Sequence, residues 1–358
     1  MRTFFFEAFE EEAAHIRRYL DATPWVEGEL VPATIQEFLA QRGESKTSGP
    51  SIGPPPCDVI SIRTQSTLPL EWADDLKAIL SRSTGYDHLL AYRHQATVER
   101  TQHIHFGHLP LYCVRAVAEQ AIMLLLSLSR KLAQQRSQWH QFHRDGLTGM
   151  ELKGKKMVVV GVGNIGSEVC RLGLALGMNV VGVDIAIKYS DLVPYQEPEV
   201  ALKGAHCVVV CMNLTSCNIG YMTPHRLSLL KEGALFVNIS RGEFCASSLL
   251  LKALDEGRLG GVALDVFSHE RSLAEMLRDK IAPPPDTPQA QEVEAVMRLA
   301  ADPRVTLTPH NSFNTAEAVD RKASQSVQQL VCLAKHGYFV WPIPLLLDKD
   351  VEPETETL

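Results

Sequence analysis

From residue 152 onward the chain repeats one rhythm: a short, almost unbroken apolar run, a turn, then apolar residues at helical spacing. Residues 157–160, 179–183, 207–211, 235–239, 261–266 and 305–307 read as strands, with a helix over 164–176. Strands that are apolar throughout and alternate with helices predict a parallel sheet covered on both faces. The first 110 residues are less regular. There, 57–63 reads as a strand and 74–80 as a short helix running into a strand, while 43–56, rich in Gly, Ser and Pro, reads as a surface loop. Residues 111–132 form one long apolar helix pattern suited to joining two domains, and 281–288 is a Pro-rich inserted loop. A final helix over 315–336 is expected to return to the first domain.

At 358 residues the chain exceeds one ordinary core, which favours two α/β domains, each a doubly wound parallel sheet. With 45% hydrophobic and 22% charged residues the composition is that of an ordinary globular protein. A formal charge of −7 argues against a nucleic acid or an anionic membrane as the main partner. No apolar stretch is long enough to span a bilayer, and the acidic residues following Phe6 argue against a signal peptide. Eight irregularly spaced cysteines fit a reducing, cytoplasmic setting. No acid or cysteine completes a ligand set around His103, His105 and His108, so no metal is expected. Residues 348–358 form an acidic tail.

Chemistry first shows itself at Gly161-Val-Gly163-Asn164-Ile165-Gly166, directly after one predicted strand and opening a predicted helix. Gly161 permits a tight turn, Gly163 lets a pyrophosphate approach the backbone, and Gly166 permits close packing of helix on strand. The helix N-terminus offers free N–H groups to phosphate. Asp184 ends the next strand, where a carboxylate accepts from ribose hydroxyls and repels a 2′-phosphate. The expected cofactor is therefore NAD rather than NADP.

Hydride transfer at a 2-oxo acid needs a cation for the carboxylate and a positioned acid for the carbonyl oxygen. Arg241 follows one strand, Asp265 and Glu270 follow the next, and His310 follows the last. Together with the glycine motif, the runs Asn238-Ile-Ser-Arg-Gly242, Leu264-Asp-Val-Phe-Ser-His-Glu270 and Thr308-Pro-His-Asn-Ser-Phe-Asn-Thr315 make the chain resemble the D-2-hydroxyacid dehydrogenase family. In motif it is nearest the D-lactate dehydrogenase branch.

The resemblance implies that Arg241 binds the substrate carboxylate and carbonyl, and that His310, paired with Glu270, is the acid/base. It implies that the backbone at Thr84 and Gly85 holds the carboxylate, and that Tyr112 and Phe313 shape the pocket. Asp265 and Asn213 are implied to lie beside the cofactor, with Gly161, Gly163, Asn164, Ile165, Gly166 and Asp184. The implied domains are 1–118 plus 312–347 for substrate and 119–311 for the dinucleotide, with a cleft between them that closes on ligand. The implied assembly is a homodimer, and the implied substrate a small (2R)-hydroxy acid or its 2-oxo partner. Departures lie in Ser268-His-Glu-Arg271, in the Cys211-Met-Asn-Leu-Thr215 loop, and in an apparent insertion over 271–297. Because C-terminal-binding-protein corepressors share the Arg, Glu and His set, an NAD-sensing binding protein is the alternative reading. Glu270 stands where a formate dehydrogenase is expected to carry glutamine, which disfavours that branch.

Overall fold

The computed structural model describes residues 1–43 and 52–344. The acidic tail and most of the 43–56 loop lie outside these. The described residues form two compact units, one running from Met1 to Tyr112 and resuming at Val319, the other from Cys113 to Ala318.

The first unit is built on five strands: β1 (Arg2–Phe5), β2 (Glu27–Leu30), β3 (Val59–Ile62), β4 (Ala78–Ser81) and β5 (His105–Gly107). All pair in parallel, in the order β2-β1-β3-β4-β5. Phe4, Phe6, Ile60, Ile62, Trp72 and Ile79 are buried in its core. The helix expected within 74–80 is instead a short 3-10 turn, Leu70–Asp74, preceding β4.

The second unit holds β6 (Lys156–Val160), β7 (Asn179–Val183), β8 (Cys207–Val210), β9 (Ala234–Asn238), β10 (Leu259–Leu264) and β11 (Val305–Leu307). They pair in parallel in the order β11-β10-β9-β8-β6-β7. Val158, Val160, Val208, Val210, Phe236 and Val262 are completely buried, as a sheet covered on both faces requires. Counted along each unit, the first strand is flanked by the second and the third in both sheets. The winding therefore reverses between β1 and β3, and between β6 and β8, where α/β sheets leave their ligand crevices.

The apolar run at 111–132 folds as one helix, Val114–Ser129; after a break at Lys131, with φ of 53°, a second helix follows over Leu132–Gln138. The first helix packs on Asn164–Ala175 and on β9 and β10, inside the second unit. The segment 271–297, expected to be inserted, is helical and packed. Because β10 and β11 are parallel, the chain between them must cross back over the sheet. The helices Glu270–Asp279 and Pro288–Ala301 make that crossing, burying Leu273, Val293, Val296 and Leu299 in the core.

Candidate active site

In the second unit every residue singled out from the sequence, except those inside the glycine motif's helix, follows a strand at the sheet's carboxyl edge. The three motif glycines differ in what constrains them. Gly161 has φ of 92°, and a Cβ there would stand 2.6 Å from the Met212 nitrogen. A Cβ on Gly166 would stand 1.9 Å from the Gly161 carbonyl oxygen, so the helix could not pack on the turn. A Cβ on Gly163 would meet nothing within 4 Å. The protein itself therefore accounts for two of the glycines, while the third keeps open a space at the start of the helix Asn164–Ala175. That helix has no side-chain cap at Gly163, so its first N–H groups remain available for an anion. The opening fits a pyrophosphate. Asn164 is exposed and Ile165 half-buried beside it.

Asp184 is half-buried after β7. Its Oδ2 accepts from the Val162 N–H at 2.6 Å and its Oδ1 from the Ala186 N–H at 2.8 Å. It thus braces the glycine turn, and with about four acceptor sites on a carboxylate it keeps capacity for a ribose hydroxyl. Asn213 is exposed in the loop after β8, where its carbonyl accepts from the Asn218 amide at 2.9 Å.

Arg241 is held by the turn after β9. Asn238 Nδ2 donates to the Arg241 carbonyl at 2.7 Å, and Arg241 Nη1 donates to the Ser240 carbonyl at 2.8 Å. Gly242 then passes so close to the next loop that a Cβ would stand 2.0 Å from the Ser268 nitrogen. This close passage brings the Arg241 turn against the segment leading to Glu270.

Glu270 opens the helix Glu270–Asp279. Its Oε1 accepts from the Phe267 N–H at 3.1 Å, and its Oε2 lies 2.8 Å from His310 Nδ1. An ionised carboxylate only accepts, so Nδ1 carries the hydrogen and Nε2 is left for a reacting group. The His310 and Glu270 side chains are about one-third exposed, at 33% and 38%, accessible without being fully solvated.

Asp265, expected beside the nicotinamide, is completely buried. Its carboxylate accepts from Thr308 Oγ1 at 2.5 Å, the Asn311 N–H at 2.9 Å, the Ser312 N–H at 2.9 Å and Ser312 Oγ at 2.5 Å. All four donors flank His310, so the carboxylate fastens the His310 turn. The motif gave the residue but not this work, because its partners lie far away in sequence. Phe313 is half-buried at the end of the same turn, where its carbonyl accepts from the Thr315 N–H at 3.1 Å.

In the first unit, Thr84 and Gly85 follow β4 at its carboxyl end. Thr84 Oγ1 donates to the Leu109 carbonyl at 3.2 Å, and Ser83 Oγ to the Gly85 carbonyl at 2.6 Å. Tyr112 is buried, its carbonyl accepting from Arg321 Nε at 2.8 Å. Sequence reasoning passed over a charged group nearby, formed by Glu12, Arg82 and Lys322, whose side chains show no exposure. An acid in the first turn of an amphipathic helix carries no signal that it is buried.

Comparison with known proteins gives this arrangement a context. The NAD-binding domain of the D-isomer specific 2-hydroxyacid dehydrogenases matches residues 122–312. The D-lactate dehydrogenase of Escherichia coli (strain K12) is 30% identical over 237 residues, covering 63% of this chain and 68% of that protein. The 2-hydroxyacid dehydrogenase homolog 2 of Schizosaccharomyces pombe is 33% identical over 224 residues, covering 59% of this chain and 63% of that one. A solved D-lactate dehydrogenase of Aquifex aeolicus, complexed with NAD and lactic acid, superposes with a TM-score of 0.76 at 24% identity. That superposition covers 94% of this chain and 98% of the other, and it bears on the fold alone. Among the described residues no helix is long and apolar enough to cross a membrane. The chain belongs to the D-isomer specific 2-hydroxyacid dehydrogenase family and is an NAD-dependent oxidoreductase acting on 2-hydroxy acids.

Proposed function

We propose that the protein interconverts a small (2R)-2-hydroxy acid, with D-lactate as the reference, and the corresponding 2-oxo acid. The observation that carries this reading is the His310–Glu270 pair, 2.8 Å apart, with Nε2 of the imidazole left to serve a substrate oxygen. NAD, when bound, supplies or accepts the hydride at the substrate's C2. Gly161, Gly163, Asn164, Ile165 and Gly166 would hold its pyrophosphate, Asp184 its adenosine ribose, and Asn213 would stand beside its nicotinamide ribose. Asp184 also makes the site unfavourable for the 2′-phosphate of NADP.

Arg241 would bind the carboxylate through its planar fork, helped by the backbone N–H groups at Thr84 and Gly85. In the reducing direction His310 gives its Nε2 proton to the carbonyl oxygen while the Glu270 carboxylate steadies the imidazolium. In the oxidising direction neutral His310 takes that proton back. Asp265 acts through the His310 turn as a positioning residue. Tyr112 and Phe313 would form walls around the substrate's side chain. The proposed assembly is a homodimer.

The decisive experiment is a panel of 2-oxo acids with NADH, following the loss of its absorbance. Turnover of pyruvate or a near homologue supports the reading. NADH binding without turnover of any 2-oxo acid would overturn it in favour of an NAD-sensing binding protein.

A further inference from the structure

Two side-chain hydrogen bonds in the first unit fix the direction of two successive peptide planes after β4. His108 Nδ1 lies 3.0 Å from the Thr84 carbonyl oxygen. A carbonyl only accepts, so Nδ1 carries the hydrogen and donates it. Ser83 Oγ donates to the next carbonyl, that of Gly85, at 2.6 Å. In a trans peptide plane the carbonyl and the N–H that follows it point in opposite directions. The bond from His108 therefore turns the Gly85 N–H away from the imidazole, and the bond from Ser83 turns the Tyr86 N–H away from the hydroxyl. Among the described residues neither N–H donates to another group, and Gly85 and Tyr86 are both half-buried. Two neighbouring donors are thus left for an acceptor from outside the fold.

His108 is the fixed member of this arrangement and the turn after β4 the guided one. The His108 N–H donates to the Trp341 carbonyl at 3.1 Å, and its carbonyl accepts from Gln329 Nε2 at 2.8 Å. Gln329 is completely buried, and its Oε1 accepts from the Trp341 N–H at 3.3 Å. The Tyr86 ring meets the imidazole edge to face, with 4.9 Å between ring centres. The Leu109 N–H donates to the Ser83 carbonyl at 3.0 Å, lacing the turn after β5 to the turn after β4. Burial pulls the His108 imidazole below its usual range, although the Thr84 carbonyl opposes this, so near neutral pH the ring is an uncharged donor.

We infer that His108 and Ser83 are positioning residues for substrate binding: through the Thr84 and Gly85 carbonyls they aim the Gly85 and Tyr86 N–H groups at the substrate carboxylate. This rests on the proposed reaction, in which the backbone of that turn helps to hold the carboxylate. Both side chains act through the peptide planes and take no part in the hydride or proton transfer.

The test measures KM and kcat with NADH for whichever 2-oxo acid the protein turns over fastest. A hydrogen bond to the carboxylate is made equally before and during reaction, so losing it raises KM and leaves kcat in place. His108→Leu keeps much of the bulk and removes the donor. It should raise KM by about ten- to a hundredfold, the worth of one hydrogen bond to a charged group, with kcat little changed. His108→Asn sets an amide nitrogen close to where Nδ1 stood and should restore most of the lost affinity. Ser83→Ala repeats the test on the Tyr86 N–H, should also raise KM, and decides the matter if His108→Leu does not fold. A thermal melt and NADH binding, whose residues belong to the second unit, report whether each variant is folded. An unchanged KM in folded His108→Leu or in Ser83→Ala, or an equal rise in His108→Leu and His108→Asn, would overturn the inference while leaving the reaction intact. No turnover of any 2-oxo acid by the unaltered protein would overturn the proposed reaction and, with it, this inference.

Discussion

The backbone of His310 has φ of 49°, in the left-handed region where a side chain other than glycine is strained by on the order of 1 kcal/mol. The turn stays in that conformation because Asp265 receives four hydrogen bonds from it. Asp265→Ala would leave two hydroxyls and two N–H groups without their acceptor, and should lower stability by about 3 kcal/mol or more. A urea midpoint measures this. If the midpoint does not move, Asp265 is not the anchor of the turn. His310→Ala should instead leave the midpoint near its original place and reduce kcat by about two to four orders of magnitude. Near-normal turnover in that variant would sink the acid/base assignment. Arg241, Glu270 and His310 were legible in the sequence because each stands beside a recognisable strand in a short motif. The work of Asp265 was not legible, since its donors lie 43 to 47 positions away.

Among the elements, the glycine turn separates folding from ligand binding. Gly166→Ala would drive a methyl into the Gly161 carbonyl and should destabilise the fold, whereas Gly163→Ala places its methyl in open space. The second variant should melt close to the unaltered protein yet lose NADH binding, as read by nicotinamide fluorescence. If Gly163→Ala binds NADH normally, the opening is not the phosphate site.

The helix Ala316–His336 gives a pH signature. Burial, opposed by Glu12 and reinforced by Arg63 and Arg82, pulls the Lys322 ammonium from the usual 10.5 down to about 7. Between those values the unfolded chain holds this proton and the folded chain does not, so rising pH favours folding across that window. Unfolding midpoints should show Lys322→Met losing ground to the unaltered protein as pH rises from about 7 toward 10.5. A pH-independent difference would refute it. Strands such as β6 and β8 announced themselves by unbroken valine runs. By contrast β1, although flanked on both sides in its sheet, gives no such sign, because its phenylalanines run straight into an acidic stretch, which carries no alternation to read.

For the molecule as a whole, the doubly wound class was legible because strand and helix periods alternate over the second half of the chain. The helices between β10 and β11 were not legible because a Pro-rich segment interrupts their period. Leu132, Trp139 and Phe142 are 54%, 67% and 74% exposed along one short stretch of the second unit, a concentration of apolar surface that suits contact with another copy. Light scattering should give twice the chain mass, and a clean monomer at working concentration would count against the proposed homodimer.

The division of the chain also orders its birth. The second unit is contiguous, so its six strands and the helices between them can pair once residue 318 has emerged from the ribosome. The first unit cannot finish so early, because His15 meets Asp320 across 305 residues and Glu12 meets Lys322 from the same late helix. Until that helix arrives, Glu12 and Arg82 stay close to water and the sheet beside them lacks a cover. The dinucleotide unit can thus mature before the substrate unit, which is sealed only when the helix Ala316–His336 arrives.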